Sequence, residues 1–451
     1  MKILCGTILS AAIVAAASAR AEMFRDGDRV AFVGDSITHM GYYVRIVSDY
    51  YVTRFPESDI RIFQIGLGGS RAVHCLEWHK RLVLPTKPNV VVTMFGMNDV
   101  GRGDYDLHAT PEQTAAQRKS LEDYAANMRE LTRLIDAELG NPRRYFVTPT
   151  PYFDAAEKKS PQVPNLGVNA GLGAAAGIVR DEWREHGGTL VDFNAAYNAF
   201  FRSWQGPDDR QITGWDRVHP QEGGHLLMAY WFLKAQNADR VVSDIRIQED
   251  HVACAINADV TDLMATNGCV AFTVLEKALP MPFRPGDSAK VQKMLPLAEE
   301  LNQEVLTFYP PHEGEWLLKI DGRDIVQASG KDWIKGINLA FNEKTPQFEQ
   351  AQRVAAANLE FRDFVRNVQS TWDGQEKFFR RELKERADDP KARREFFDAL
   401  PPGKQKFAAF VLENWDRKAE VNQRAIDGGV EIRRLAKPSP HRYELVFVDK
   451  Q

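Results

Sequence analysis

The sequence predicts an α/β protein in three stretches. Residues 22–240 form a parallel sheet covered by helices, 241–345 a β-rich module, and 346–451 a helical extension with C-terminal strands. Three observations carry this reading. From Glu22 to about Asp239, short β-branched runs alternate with longer amphipathic segments, the rhythm of βαβ units. After residue 240, strand-like runs follow one another between Pro- and Gly-rich turns. From Pro346 the chain turns charged and helical, with Phe361, Phe364, Val365, Phe378, Phe379, Phe396, Phe397, Phe407 and Phe410 at amphipathic spacing.

In chain order, the first 21 residues stand apart from the fold. Lys2 precedes an apolar, small-residue stretch from Ile3 to Ser18, and Ala19-Arg20-Ala21 has the small-x-small form of a signal-peptidase site. A signal peptide over residues 1–21, cleaved near Ala21, is therefore expected, with a secreted or periplasmic product. The strands that follow are expected at Arg29 to Val33, Ile60 to Ile65, Asn89 to Phe95, Tyr145 to Thr148 and Thr189 to Asp192. Helices are expected at Gly41 to Phe55, Pro111 to Leu139, Asn169 to Glu185 and Gln221 to Ala238. Thr110 before Pro111 reads as an N-cap followed by a first-turn proline. In the second half, Val241 to Ile256, Val270 to Leu275, Glu304 to Phe308 and Trp316 to Ile320 read as strands of an antiparallel module. Val430 to Leu435 and Tyr443 to Val448 read as strands in the tail.

Composition narrows the class of partner. The 451 residues carry 58 Lys plus Arg against 62 Asp plus Glu, a formal charge of −4, so no broad cationic surface exists for a phosphate backbone and nucleic acid is not an expected partner. Outside residues 3–19, no apolar run approaches the roughly 20 residues that span a bilayer. Three cysteines follow the signal segment: Cys75, Cys254 and Cys269. The last two lie in apolar runs that could be neighbouring strands and could be bridged in an oxidising compartment. No CxxC, HExxH or Cys/His cluster occurs, so neither a metal site nor a cofactor is expected.

Four short blocks carry the candidate chemistry: Gly34-Asp35-Ser36-Ile37, Gly66-Leu67-Gly68-Gly69, Gly96-Met97-Asn98-Asp99 and Asp216-Arg217-Val218-His219-Pro220. Each alone reads more simply as a turn or helix cap. Together they sit after expected strands or before a helix, and ligands of open parallel sheets bind beyond the carboxyl ends of the strands. They supply a hydroxyl nucleophile, a base, a carboxylate to orient that base and donors for an oxyanion, the parts acyl transfer requires. Asp35 and Asp99 are expected to brace the turns that present Ser36 and Asn98.

In block order the chain resembles the SGNH hydrolases, also called GDSL-type esterases, over roughly residues 28–238. Ile37 stands where the name motif has Leu, and Gln64 where an Asn often precedes the glycine turn. The resemblance implies a three-layer α/β/α fold and a serine esterase. Ser36 would be the nucleophile, His219 the base and Asp216 its orienter, with an oxyanion hole of the Ser36 and Gly69 amides and the Asn98 side chain. A neutral base implies activity that rises with pH as an imidazole gives up its proton, near about 6.5 for the free side chain. His39 and Trp215 are candidate substrate contacts. The expected substrate is an acetylated carbohydrate, O-deacetylated through an acyl-enzyme. A lysophospholipase or thioesterase, and a glycan-binding protein with a vestigial hydrolase domain, are the alternatives.

Overall fold

The structure, a computed structural model, describes residues 22–153, 165–203, 212, 214, 216–266, 268–282, 289–427 and 429–448. The expected signal segment, residues 1–21, lies outside the described residues. The N-terminal half is built on β1 (Arg29–Gly34), β2 (Arg61–Gly66), β3 (Val90–Met94), β4 (Arg143–Val147) and β5 (Thr189–Val191), in the order β2-β1-β3-β4-β5. Every pairing is parallel. The strands are largely apolar and buried because helices cover both faces; β3 is buried at each residue.

The sequence reads most of the covering helices well. They are α1 (Ser36–Met40), α2 (Tyr42–Arg54), α3 (Ala72–Leu82), α4 (Pro111–Leu139), α5 (Val168–His186), α6 (Phe193–Ser203) and α7 (Glu222–Ala235). Thr110 caps α4 in a reciprocal box: its Oγ1 accepts from the Gln113 amide at 3.2 Å and its own amide donates to Gln113 Oε1 at 2.9 Å. α2 packs on α7, while α3, α4 and α5 pack on one another, giving the three-layer α/β/α arrangement.

The second half departs from the sequence reading in detail. Its strands are β6 (Val241–Gln248), β7 (His251–Ile256), β8 (Ala258–Thr266), β9 (Cys269–Glu276), β10 (Gln303–Tyr309), β11 (Glu315–Ile320), β12 (Arg323–Ser329), β13 (Ile337–Asn338) and β14 (His441–Val448). They form two sheets, β13-β10-β6-β7 and β12-β11-β14-β9-β8, around a core that includes Phe272, Phe308, Trp316, Trp333 and Leu445. The run from Val241 to Ile256 is a hairpin rather than one strand, turning at Glu249 with φ +36°. The module is also mixed rather than antiparallel, because β6 and β10 run parallel. A parallel pair needs a long crossover, and residues between β9 and β10 leave the module to bury Met281, Val291, Leu297 and Leu301 in the hydrolase core.

The tail requires a further correction. Val430–Ala436 is a helix, not a strand: Gly429 starts it from a left-handed conformation, and Ile432 and Ala436 are buried against Ala351 and Val354 of the helix Pro346–Arg366. β14 is a strand as expected, and it inserts between β9 and β11 of the β module. Cys254 on β7 and Cys269 on β9 lie in different sheets, and Cys75, Cys254 and Cys269 are all free.

The helical extension is docked against the N-terminal half. Asn358 Nδ2 donates to Asp49 Oδ1 of α2 at 2.7 Å. On the edge strand β2, Arg362 donates to the Ile62 carbonyl, and the Gln64 amide donates to Gln369 Oε1 at 3.1 Å. These bonds satisfy edge groups that would otherwise invite pairing with another chain. At the far end of α2, buried Arg54 donates to the Asp239 and Leu301 carbonyls. Among the described residues no helix is long and apolar enough to cross a membrane.

Candidate active site

The four blocks converge at the carboxyl end of the parallel sheet. Ser36 opens α1 directly after β1, and Asp35 caps that helix by accepting from the Ile37 amide at 2.9 Å. Space is tight at this bend. A Cβ on Gly34 would lie 2.4 Å from Thr38 Oγ1, and one on Gly66 would lie 2.2 Å from the His39 amide nitrogen, so both positions require glycine. Burial pushes the Asp35 carboxyl up to about 7 against the pull of the Ile37 amide, consistent with the bracing role expected of it.

The loop before α7 brings the His219 imidazole to Ser36. His219 Nε2 lies 2.7 Å from Ser36 Oγ, and His219 Nδ1 lies 2.5 Å from Asp216 Oδ2. The turn between them is wound around the same carboxylate: Asp216 Oδ1 accepts from the Val218 amide at 3.0 Å and the His219 amide at 2.9 Å. Arg217 takes φ +63° to allow it. Partial burial works against the Asp216 charge, but the His219 ring and these amides outweigh it and hold the carboxyl at about 2. Asp216 is thus an anion across the working range and can orient a neutral imidazole and stabilise a cationic one.

Gly69 and Asn98 lie on the turns that follow β2 and β3. The turn after β2 is drawn onto β1 by the Leu67 amide donating to the Gly34 carbonyl at 3.1 Å. Gly69 sits in it at φ +70° with open space around the position of a Cβ. Asn98 Nδ2 donates to the Ser70 carbonyl at 3.0 Å, which links the third block to the second. Buried Asp99 tightens the link, accepting from the Ala72 amide at 2.8 Å and the Gly96 amide at 2.9 Å. Burial pushes its carboxyl up to about 6 although both amides favour the charge. Asp99 is therefore a brace, as expected.

His39 is half-buried and its Nδ1 lies 3.2 Å from the Gly66 carbonyl, so its ring ties α1 to the glycine turn. Burial lowers its proton affinity. Trp215 lies outside the described residues. Sequence reasoning missed Arg102, whose Nη1 donates to Asn98 Oδ1 at 3.1 Å and also to the Met97 carbonyl. The available signal was an arginine between two glycines, four residues after Asn98. Among the described residues no group of three or more His, Cys, Asp or Glu side chains could hold a metal ion.

Comparison with known proteins bears on the family of the N-terminal half. Residues 32–227 match the GDSL-like Lipase/Acylhydrolase family. The matched stretch is an SGNH hydrolase domain. An acetylxylan esterase of Geobacillus stearothermophilus is 26% identical over 223 residues, covering 46% of this chain and 93% of that protein. A solved structure of this esterase, Axe2, is 25% identical and covers 49% of this chain and 97% of its own, with a TM-score of 0.39. The solved structure of BT4096, described as a gut microbial diltiazem-metabolizing enzyme, is 26% identical with a TM-score of 0.81; the match covers 95% of this chain and 99% of that one. The protein is a carboxylic ester hydrolase, and its likeness to BT4096 extends through the β module and the helical extension.

Proposed function

We propose that the protein is a secreted serine esterase that removes O-acetyl groups from carbohydrates, using Ser36, His219 and Asp216 and passing through an acyl-enzyme. The observation that carries the reading is the unbroken line from Asp216 Oδ2 to His219 Nδ1 and from His219 Nε2 to Ser36 Oγ, 2.5 and 2.7 Å. His219 takes the Ser36 proton as Oγ attacks the ester carbonyl. The oxyanion is received by the Ser36 and Gly69 amides and by Asn98 Nδ2. His219 then protonates the leaving alcohol, and water enters by the reverse sequence to release acetate. His39 and Trp215 are proposed to border the alcohol side of the site.

Acetyl as the acyl group is supported by likeness to an acetylxylan esterase. The resemblance to BT4096 favours a second reading of the alcohol: diltiazem is an acetate ester of a bulky drug alcohol, so the leaving group need not be a sugar. Secretion rests on the signal-like residues 1–21. The test is release of acetate from acetylated xylooligosaccharides, diltiazem and acetyl-CoA, and of fatty acid from lysophosphatidylcholine, by wild type and Ser36→Ala. The reading expects acetate from the oligosaccharides that Ser36→Ala does not produce. Full activity of Ser36→Ala would sink the mechanism. A preference for diltiazem or the lipid would sink the carbohydrate assignment.

A further inference from the structure

We infer that Arg102 is a positioning residue for ester hydrolysis: its guanidinium orients and polarises the Asn98 side-chain amide that receives the oxyanion. The inference rests on the proposed role of Asn98 and goes beyond it.

The amide of Asn98 is useful to an oxyanion only with its NH₂ group turned toward the reaction centre and its oxygen turned away. Two bonds enforce this orientation. Nδ2 donates to the Ser70 carbonyl, and Oδ1 accepts from Arg102 Nη1 at 3.1 Å. A flipped amide would set its NH₂ against a cation and its oxygen against a carbonyl, losing both bonds. An NH₂ group carries two hydrogens, so the bond to Ser70 leaves one for the substrate. A cation on Oδ1 also draws electron density from the amide, and hydrogen-bond chains of this kind strengthen one another. The remaining N–H is thereby a better donor to a developing negative charge.

The arginine is itself held in place. Gly101 takes φ +66° to bend the chain back, and a Cβ there would lie 2.9 Å from Ser120 Oγ. The short turn Arg102–Asp104 that follows is tied to α4 by Gln117 Nε2 donating to the Asp104 carbonyl at 2.7 Å. Asn165 donates to the Arg102 carbonyl. The same Nη1 that reaches Asn98 also reaches the Met97 carbonyl, so one rigid planar group grips the Asn98 side chain and the backbone just before it. A purely structural arginine would need only the backbone bond. The contact with Oδ1 is the one that reaches the chemistry.

The test is a double-mutant cycle between Arg102 and Asn98, with kcat and KM measured on a chromogenic aryl acetate. Arg102→Ala is expected to lower kcat about 10- to 100-fold, below the 10²–10³-fold that losing a whole oxyanion donor costs, with KM changed less than about 2-fold. In the Asn98→Ala background the same substitution is expected to cost less than about 3-fold, because the amide it serves is gone. Arg102→Lys keeps the charge without the planar fork and should recover part of the loss. It also carries the test if Arg102→Ala does not fold. Losses that multiply across the cycle, or a rise in KM at constant kcat, would overturn the inference. So would wild-type kcat in either Arg102 variant. Wild-type activity of Asn98→Ala would instead overturn the assignment of Asn98 to the oxyanion.

Discussion

Asp35 offers a quantitative handle on the site because it is wholly buried beside Ser36. Its carboxyl is held at about 7 in the folded protein, against an unfolded value of about 3.9. An acid whose folded value is raised binds its proton more tightly when folded, so its contribution to stability is greatest below the unfolded value. It declines as pH rises through the window between the two. At about 1.4 kcal/mol per pH unit over roughly three units, ionised Asp35 costs the fold on the order of 4 kcal/mol by pH 8. Asp35→Asn keeps an Oδ1 acceptor for the Ile37 amide but cannot ionise. The stability of the variant relative to wild type is therefore expected to climb by about 1.4 kcal/mol per unit from about pH 4 to pH 7 and to level off above. Urea unfolding of both proteins across that range reads the difference, in which the titrations of groups distant from Asp35 cancel. Parallel stability curves would refute the reasoning, because they would mean that Asp35 is as easily ionised in the fold as out of it.

Other outcomes can be stated more briefly. Asp216→Asn should lower kcat on the order of 10²–10⁴-fold while leaving the fold intact, since it keeps the shape of the His219 turn and loses only the anion. With its carboxyl at about 2, the Asp216 titration itself should add no limb to the wild-type pH–rate profile above about pH 4, so a limb that disappeared in this variant near pH 4 to 5 would count against the assignment. Gly69→Ala meets open space but forces a left-handed residue, so it should cost about 1–2 kcal/mol in unfolding experiments and lower kcat by displacing the amide. Wild-type kinetics would remove Gly69 from the oxyanion hole. Arg362→Ala leaves the Ile62 carbonyl of β2 without its donor and should destabilise the protein by about 1–3 kcal/mol, read by urea unfolding, with concentration-dependent association as the edge is uncovered.

Legibility tracked how local the governing physics is. The five parallel strands declare themselves because each is largely buried between helices and so carries a short, mostly apolar run. The start of α4 is written in Thr110, Pro111 and Gln113, which cap it without help from elsewhere. The convergence of Ser36, Gly69, Asn98 and the Asp216–His219 pair was legible for a similar reason: strand-ending turns of a parallel sheet share one edge. Val430–Ala436 was misread because its β-branched and aliphatic residues suit either state, and the buried contacts of Ile432 and Ala436 with a helix some eighty residues earlier decide for helix. β8 and β12 went unnoticed because much of each is exposed, so neither shows the apolar run that marked the other strands. β14 was recognised as a strand, but its place between β9 and β11 depends on partners more than a hundred residues away.

By itself the sequence determined the α/β core, the order of its elements and the candidate reacting groups, because strand burial, capping and turn chemistry act within a few residues. Only the tertiary structure decided how those groups are held. The grip of Arg102 on Asn98, the brace of Asp99 and the cover that Arg362 and Gln369 give to β2 join residues whose separation along the chain says nothing of their distance in space. Hydrogen bonds of this kind depend on position and angle to within fractions of an ångström, and folding supplies both.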